Sequence, residues 1–415
     1  METKKQNFKF HEQVKKFNLD NIPIIGNFES QAIIGLDDDG IKFINNLEAN
    51  NVDFDNLTEK EQILFNALKA NGYFDVLTNK PTLETGYIHV TDNCNLHCVG
   101  CYSFKEHRNE KKNLPADKIK YIAKKLTDAG VSNIVFSGGE PFLRDDLCEI
   151  LKYVKETLKS KDVSIISNGT MPLEKYLKCL PYIDKINISI DSYSADTHFI
   201  RDPGIMPKVL ETINNLKNKI PIHIIATFNK KISPYLENFV QLSKDLGVTL
   251  SFSVLTVDYS NPLFKDYILT EEDYIKMYDF LRKNTNIVIN DSTISDVNLV
   301  AYNHCGAGQN TVSIGADGTI YPCCMLHTDK LKMGNILTDD LTEVINSDKN
   351  PWKNISVDNF EKCKDCEYKY VCGGSCRAHS YYTYGDIFHE GHLCNQAKQQ
   401  FKYIIDNIKQ HYNID

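Results

Sequence analysis

Short apolar runs alternate with amphipathic segments along the chain from about residue 86. The runs are rich in β-branched residues and predict six strands, with the sequences YIHVT (87–91), NIVF (133–136), VSII (163–166), KINISI (185–190), IHIIATF (222–228) and TLSFSV (249–254). Between the runs, apolar residues recur at helical spacing over residues 116–129, 145–159 and 234–246. Alternating β and α units predict a parallel sheet, and six units favour a partial (β/α)6 barrel, an α/β fold, over the eight-unit form.

Unusual sequences follow the ends of the first four predicted strands. A cysteine-rich loop follows the first strand, SGGEP (137–141) the second and SNGT (167–170) the third, and SIDS (189–192) ends the fourth. In barrels of parallel strands the chemistry lies where strands end and loops begin. These loops therefore predict one site on one rim of the barrel.

The segments on either side of the barrel have different patterns. Before it, SQAIIGLDD (30–38) predicts a strand, and residues 40–50 and 58–74 predict helices, the second with Thr58 and Glu61 as a capping box. After it, residues 300–395 are rich in Cys, Gly and Asp with little periodicity, so we expect metal to replace an apolar core there. A final amphipathic helix is predicted over 395–412. The expected domains are a winged-helix-like module, the barrel and a metal-bound domain with that helix, at residues 1–80, 81–295 and 296–415.

Composition and charge narrow the classes of function. The 415 residues are 42% hydrophobic and 25% charged with a net charge of −8, so nucleic acid is not an expected partner. No apolar run approaches the ~20 residues needed to span a bilayer, so a membrane is not expected either. The N-terminus lacks a secretory signal pattern, and we expect a cytoplasmic protein. In a reducing compartment, thirteen cysteines indicate metal ligands or catalytic groups before disulfides. Cys148 and Cys179 stand apart from the others and are predicted to be separate, small buried side chains.

Three cysteines lie within eight positions of the first loop, at Cys94, Cys98 and Cys101. A zinc site would need a fourth ligand, for which His97 or His107 is the candidate. The spacing C-x3-C-x2-C does not pair its ligands in twos as zinc fingers do. A four-iron cubane held by three cysteines would instead keep one iron open for a substrate or cofactor.

This cysteine motif, followed by Tyr102 and then by GGEP, resembles the radical S-adenosylmethionine (SAM) superfamily over about residues 86–290. The resemblance implies that the open iron binds SAM, and that an electron from the cluster cleaves SAM to a 5′-deoxyadenosyl radical that abstracts hydrogen from an unactivated C–H bond. It also implies a set of residues that contact or support the cofactor: Tyr102, Gly138, Gly139, Glu140, Pro141, Asn168, Ser189, Asp191 and Arg201. For Asn168 and Asp191 a plain turn-forming role remains open.

The later cysteines form a second field. The arrangement C-x12-G-x4-C from Cys305, followed by C-x2-C-x5-C-x3-C from Cys363, resembles the SPASM extension of radical SAM enzymes. The resemblance implies two auxiliary clusters and hence three [4Fe-4S] clusters in all. One auxiliary set would be Cys363, Cys366, Cys372 and Cys394, and the other Cys305, Cys323 and Cys376. The second set lacks a fourth cysteine, so its iron is open or is closed by Cys324 or His327, although we expect the adjacent Cys323 and Cys324 to point apart. A zinc ribbon is the alternative for this field.

The N-terminal segment is similar to the leader-recognition element of ribosomal-peptide (RiPP) pathways, in which a leader peptide adds to a strand edge. The alternative is a helical cap on the barrel. The resemblances together imply a peptide maturase that abstracts hydrogen from a precursor peptide, with a thioether or other crosslink as the favoured product and epimerisation still open. Its partners would be the precursor with its leader and a flavodoxin- or ferredoxin-type electron donor, and no general base is identified. The rival functions are a cofactor-biosynthesis or sulfatase-maturing enzyme and a non-catalytic, metal-stabilised protein-binding module.

Overall fold

The computed structural model describes residues 8–74, 83–110, 112–284, 288–289, 299–391 and 393–412. Its N-terminal part contains three strands and two helices: β1 (Val14–Leu19), β2 (Ile22–Asn27), β3 (Ile33–Gly35), α1 (Asp38–Glu48) and α2 (Glu59–Ala70). The strands form an antiparallel sheet in the order β1-β2-β3. Thr58 and Glu61 form the predicted capping box at the start of α2. The fold agrees with the winged-helix-like prediction, although β1 and β2 were not predicted.

Six β/α units follow, as the sequence pattern predicts. They comprise β4 (Thr85–His89), α3 (Ala116–Asp128), β5 (Asn133–Ser137), α4 (Leu147–Lys152), β6 (Asp162–Ser167), α5 (Leu173–Cys179), β7 (Lys185–Ser189), α6 (Met206–Leu216), β8 (Ile222–Phe228), α7 (Leu236–Leu246), β9 (Thr249–Val254) and α8 (Glu271–Lys283). A π-helical turn (Tyr153–Thr157) prolongs α4. Strands β4 to β9 pair in chain order and are parallel throughout. The predicted partial α/β barrel is confirmed.

The C-terminal part extends this sheet instead of standing apart from it. Its elements are β10 (Val288–Ile289), β11 (Thr311–Ile314), β12 (Thr319–Tyr321), β13 (Gly334–Asn335), α9 (Leu341–Asn346), α10 (Lys369–Cys372), α11 (Arg377–Tyr384) and α12 (Cys394–Tyr412). Strand β11 pairs in parallel with β4, and β12 and β13 follow antiparallel, giving the order β10-β9-β8-β7-β6-β5-β4-β11-β12-β13. Because β4 pairs with β11 and β9 pairs with β10, the six central strands do not close on each other.

The expectation that residues 300–395 build no apolar core is wrong. Val312, Ile314 and Ile320 are buried in the main core of the barrel. A second apolar cluster surrounds Trp352, which is 1% exposed. Strand β11 was missed because its partner β4 lies more than 200 residues away in the chain, so local periodicity does not show the pairing, and β12 pairs in turn with β11.

The N-terminal sheet packs against the C-terminal part. Leu19 and Ile24 share an apolar cluster with Tyr368 and Val371 and with Phe401 of α12. Beside them, the ring of Tyr370 contacts Phe17 and Phe28, with ring centroids 5.1 and 4.9 Å apart. The N-terminal module therefore rests directly on the cysteine-rich segment that contains Tyr370.

Cys148 and Cys179 were expected to be separate side chains, and this expectation is wrong. Both are buried, as predicted, but they form a disulfide bond between α4 and α5. The packing of the two helices brings their Cα atoms to 5.0 Å, within the range that a disulfide spans. In the described residues, no helix is both long enough and apolar enough to cross a membrane.

Candidate functional site

The predicted rim site is a cavity of about 500 Å³ at the carboxyl ends of the barrel strands. The three cysteines of the first loop, Cys94, Cys98 and Cys101, all line it. Six of the nine predicted cofactor residues line it as well: Tyr102, Gly138, Gly139, Asn168, Ser189 and Arg201. The structure therefore brings together loops that follow four different strands, as the sequence pattern predicts. Glu140, Pro141 and Asp191 are buried but do not line the cavity.

Gly138 and Gly139 are required by the close approach of two backbones. A Cβ at Gly138 would collide with the carbonyl oxygen of Thr91, and one at Gly139 with that of Asn93. Gly139 N donates a hydrogen bond to Thr91 O, and Glu140 N donates one to Asn93 O, each over 2.8 Å. Both acceptors lie just before Cys94, so the glycines run beside the start of the cysteine loop. Gly138 also has a φ of +133°, which disfavours side chains. The two glycines thus fix the cysteine loop against β5.

Glu140 is fully buried and joins two of the rim loops. Its carboxylate accepts hydrogen bonds from Asn168 N (2.8 Å), Ser167 Oγ (3.0 Å) and Phe142 N (3.1 Å). Burial raises the pKa of this carboxyl to about 7, although the three hydrogen bonds act in the opposite direction. A direct contact of Glu140 and Pro141 with SAM stays a prediction. In the structure, Glu140 supports the loop that carries Asn168.

Arg201 links the first cysteine loop to β7. Its Nη1 donates to Sγ of Cys98 over 3.6 Å, and its Nε pairs with Asp191, whose side chain is fully buried. Asp191 also accepts from the backbone N–H of Thr227 on β8. Burial raises the pKa of the Cys98 thiol to about 11, and the nearby Arg201 cation opposes this rise. The cation therefore favours the thiolate form, which is the form that binds metal.

The donor set fits an iron–sulfur cluster better than a single zinc ion. The proposed zinc ligands His97 and His107 have side chains that are 75% and 64% exposed, and they pair with Asp202 and Glu110 instead. In the described part of the chain, no three His, Cys, Asp or Glu side chains lie close enough to share one ion. A zinc ion holds its ligands at about 2.0–2.3 Å, whereas the thiolates of a cluster bind different irons and stand further apart.

The first auxiliary set, Cys305, Cys323 and Cys376, packs against the apolar cluster around Trp352. Burial raises the pKa of the Cys305 thiol, which is opposed by the Arg377 cation and by a hydrogen bond from the Arg377 backbone, next to Cys376. The sulfur of Cys323 accepts from Met325 N over 3.5 Å and lies close enough to Cys305 to affect its ionisation. The structure thus gathers the three predicted residues in one region.

The two candidates for a fourth position in this set have different surroundings. The Nε2 of His327 is hydrogen bonded to Ser313 Oγ over 2.7 Å. Its ring lies between His89 and Tyr321, with centroids 4.1 and 4.2 Å away. Cys324 lines the cavity, whereas Cys323 packs in the apolar cluster around Trp352, and the neighbouring Cys324 thiol and burial raise the pKa of Cys323. The expectation that Cys323 and Cys324 point apart stays a prediction.

The second auxiliary set, Cys363, Cys366, Cys372 and Cys394, also comes together. Burial raises the pKa of Cys363 to about 11 and that of Cys372 to about 12. The thiols of Cys366 and Cys394 raise both values further, and that of Cys363 also raises the pKa of Cys372. The arrangement agrees with the prediction that these four belong to one site, and their role as cluster ligands stays a prediction.

Comparison with known families decides which domains are present. The family model for the radical SAM superfamily matches residues 88–242, and that for the SPASM iron-sulfur cluster-binding domain matches residues 305–367. This chain contains a radical SAM domain and a SPASM domain. Such domains imply iron–sulfur clusters and SAM binding, which agrees with the cysteine-lined cavity in the radical SAM domain.

Relatives of this radical SAM/SPASM chain have different activities. It is 26% identical over 356 residues to the AdoMet-dependent heme synthase of Methanosarcina barkeri, covering 77% of this chain and 97% of that protein. It is 27% identical over 329 residues to the antilisterial bacteriocin subtilosin biosynthesis protein AlbA of Bacillus subtilis, covering 75% and 70%. The fold also resembles that of Streptococcus suis SuiB bound to the precursor peptide SuiA. There the TM-score is 0.60 at 17% identity, covering 93% of this chain and 99% of SuiB.

Several residues of the radical SAM cavity were missed by sequence reasoning. Tyr87 of β4, Ser253 and Val254 of β9, Thr256 and Met325 all line it. For Tyr87 and Ser253 the available signal was the phase of the strands, since alternate residues near the carboxyl ends of barrel strands point inward. Met325 had no such signal, because it reaches the cavity from the SPASM domain.

Proposed function

We propose that this protein is a radical SAM peptide maturase that abstracts hydrogen from a precursor peptide bound through its leader. The observation that carries the proposal is the N-terminal module, which adds an open strand edge and a groove to a radical SAM/SPASM chain. Two of the relatives described above are linked to peptides by name: SuiB, which was solved with the precursor SuiA, and AlbA, a bacteriocin biosynthesis protein. The proposed domains are residues 1–80, 81–295 and 296–415.

The groove offers a binding site of suitable shape for an extended peptide. Among the described residues, β3 pairs on one side only, with β2, so its other edge can accept an added strand. Next to this edge, a cavity of about 730 Å³ lies between β3, α1 and α2. Its lining includes Ile34, Leu36 and Phe43, and the side chain of Ile63 is 64% exposed. Backbone pairing at β3 would hold the leader, and an apolar leader residue would enter the groove.

The proposed cofactors are SAM and three [4Fe-4S] clusters, with the ligand sets that the family pattern assigns. When bound, the first cluster and SAM supply the radical that removes hydrogen. The residues of this chain would bind and orient them: Cys94, Cys98 and Cys101 as ligands, Arg201 as a cation beside Cys98, and the two glycines as a close backbone approach. A flavodoxin- or ferredoxin-type protein would deliver the electron.

We propose a thioether or other crosslink as the product. The cavity is lined both by the first cysteine loop and by Cys324 and Met325 of the SPASM domain. A peptide residue in this cavity would therefore lie between the radical source and the first auxiliary set. A crosslink requires the substrate to lose one more electron after hydrogen abstraction, and an auxiliary cluster is a suitable acceptor.

A cofactor-biosynthesis enzyme is the second candidate, because the heme synthase relative aligns over 356 residues. A binding experiment separates the candidates. Short reading frames beside the gene supply precursor candidates, whose affinity is measured by fluorescence anisotropy. We expect Ile63→Asp to weaken leader binding at least about tenfold, because it places a charge in the apolar groove. Ile275→Asp, at an exposed position on α8, is the matched control and should bind normally. Equal binding by both variants would contradict the leader proposal.

The product requires a separate measurement. Mass spectrometry of the precursor after turnover should show a loss of two hydrogen atoms for each crosslink. An unchanged mass after turnover in ordinary water, with one deuterium incorporated after turnover in deuterium oxide, would indicate epimerisation instead. A precursor that stays unmodified, together with turnover of a small molecule by protein lacking residues 1–80, would favour the cofactor-biosynthesis candidate.

A further inference from the structure

Arg377 is a buried cation of the SPASM domain that the function proposed above does not use. It begins α11, directly after Cys376, and is 1% exposed. Its Nη1 donates hydrogen bonds to the backbone carbonyls of Ile387 (3.0 Å) and His389 (2.7 Å), and its Nε donates one to that of Ser375 (3.3 Å). Because a guanidinium is not deprotonated in proteins, a positive charge is held inside this domain.

One nitrogen of this guanidinium has no partner in the described part of the chain. Nη2 is buried and forms no hydrogen bond with any residue that the structure describes. A buried charged donor without an acceptor is costly, so we expect an acceptor that the protein chain does not supply. The candidates are a water molecule and a sulfur atom of a bound cluster.

Arg377 lies where the two auxiliary sets meet. Its Nε donates to the carbonyl of Ser375, a residue that lies between Cys372 of the second set and Cys376 of the first. One face of its guanidinium covers the ring of Phe360, with Cζ 4.5 Å from the ring centroid. Phe360 belongs to the second apolar cluster of the fold, whose cysteines come from both sets: Cys305, Cys323, Cys363 and Cys376.

The same cation acts on one thiol of each set. It opposes the rise that burial causes in the pKa of Cys305, which belongs to the first set. It likewise opposes the rise in the pKa of Cys363, which belongs to the second set. These effects agree with the packing around Phe360, so one positive charge with an unpaired donor lies near both sets.

We propose that Arg377 donates a hydrogen bond from Nη2 to a sulfur atom of an auxiliary cluster and makes this cluster easier to reduce. The proposal rests on the auxiliary clusters of the proposed function but not on a peptide substrate. Net charge and hydrogen bonds to the sulfurs are among the factors that set the potential of an iron–sulfur cluster. A cluster that takes up one electron gains one negative charge, which a nearby cation stabilises. The cluster would thus be a better acceptor for the electron that crosslink formation releases.

A redox titration tests the effect of the charge. In Cys98→Ala, where the first cluster is absent, electron paramagnetic resonance at controlled potentials reports the auxiliary clusters alone. We expect Arg377→Met to lower the equilibrium constant for reduction of at least one auxiliary cluster by about tenfold or more. A tenfold change corresponds to about 59 mV for one electron. Unchanged potentials in an Arg377→Met protein that contains both clusters would overturn the proposal.

Two further variants separate the charge from packing. Arg377→Lys keeps the positive charge and should change the potential less than Arg377→Met does. Arg144→Met is the matched control, because Arg144 is also buried and also donates to two backbone carbonyls, but it lies in the barrel between β5 and α4. It should leave both potentials unchanged. An equal shift in Arg144→Met and Arg377→Met would show a general effect of destabilisation and refute the proposal.

A measurement on the intact side chain keeps the proposal testable if Arg377→Met fails to assemble its clusters. Cys98→Ala protein is prepared with ¹⁵N-labelled arginine, and pulsed electron paramagnetic resonance of the reduced protein detects nitrogen close to a cluster. We expect a ¹⁵N coupling that is absent with unlabelled arginine and absent in Arg377→Lys. A protein that contains acid-labile sulfide but shows no such coupling would indicate that Nη2 binds water, and would refute only the role of Arg377. A Cys98→Ala protein without sulfide would instead contradict the auxiliary clusters of the proposed function.

Discussion

Arg201 donates a hydrogen bond to the sulfur of Cys98 over 3.6 Å, while Asp191 holds the other side of its guanidinium. The Arg201 side chain is only 15% exposed, so the cation acts where water screens it little. Asp191 is anchored in turn by the backbone of β8. The charge beside the first cysteine loop is therefore positioned by two strands of the barrel.

Replacing Arg201 should impair SAM cleavage. In Arg201→Lys the charge remains, but one ammonium group cannot reproduce the geometry of the guanidinium toward both Cys98 and Asp191. We expect the rate of 5′-deoxyadenosine formation to fall about tenfold to a hundredfold, because a loss of this size corresponds to the energy of one charged hydrogen bond. The spectrum of the first cluster should also change. Arg282→Lys, at a distant arginine paired with Asp279, is the control and should leave both unchanged.

Gly139→Ala should disrupt the site without removing any functional group. Its Cβ would displace Asn93, one residue before Cys94, and so move the cysteine loop. A misplacement of about 1 Å can cost about a hundredfold in rate, and we expect a loss of that size in SAM cleavage. Gly35→Ala, whose Cβ would meet only ordinary contacts at 3.7 and 3.9 Å, is the control. Normal cleavage by Gly139→Ala would refute the role given to the close backbone contact.

Tyr370 should couple the N-terminal module to the second auxiliary set. It lies between Cys366 and Cys372 in the sequence, contacts Phe17 and Phe28, and donates its hydroxyl to Asp358 over 2.8 Å. Tyr370→Ala should lower the free energy of unfolding by about 3–5 kcal/mol, as for other buried aromatic residues. Hydrogen exchange should rise in β1 and β2 more than in β5 and β6. Tyr412→Ala, at a residue that is 67% exposed, should change neither region.

The stacked pair His89 and His327 should make the protein sensitive to acid. Burial lowers the pKa of His89 to about 3 and also lowers that of His327. In the unfolded chain both pKa values return to about 6.5. Below this pH the unfolded state therefore binds protons at these histidines that the folded state does not bind. The free energy of unfolding should therefore decrease as the pH is lowered, by about 2 kcal/mol between about pH 6 and pH 5.

A variant isolates the contribution of one histidine. His327→Phe keeps a ring between His89 and Tyr321 but removes the titration, so the loss over that pH interval should shrink by about half. Urea unfolding at the two pH values can be followed by the fluorescence of Trp352, the single tryptophan of the chain. His411→Phe, at an exposed position on α12, should keep the full pH dependence. An equal slope in His327→Phe would contradict the explanation.

The central sheet was predictable because its signal is local. Strands β4 to β9 are short apolar runs flanked by amphipathic helices, and each lies within two residues of its predicted position. Strand β1 was missed because three of its six residues, Lys15, Lys16 and Asn18, are polar and exposed and interrupt its apolar pattern. Strand β11 was missed because it is stabilised by pairing with β4 across the chain. The disulfide of Cys148 and Cys179 depends likewise on how α4 and α5 pack.

The features of the site also separate into those with a local sequence signal and those that depend on the fold. The spacing of Cys94, Cys98 and Cys101 is a local pattern, and the structure places all three at one cavity. The pairing of Arg201 with Cys98 joins residues more than 100 positions apart, so only the fold reveals it. The same holds for Cys324, whose place at the cavity results from β11 pairing beside β4. Sequence patterns could thus identify the residue types but not their contacts across domains.

The formation of 5′-deoxyadenosine tests the central claim most directly. Anaerobically reconstituted protein is incubated with SAM and dithionite, and the product is measured by chromatography alongside acid-labile sulfide. We predict that 5′-deoxyadenosine forms, and that Cys98→Ala abolishes it while retaining the sulfide of the auxiliary clusters. A reconstituted protein that contains no sulfide, or a Cys98→Ala variant that cleaves SAM at the normal rate, would contradict the assignment of the first cysteine loop.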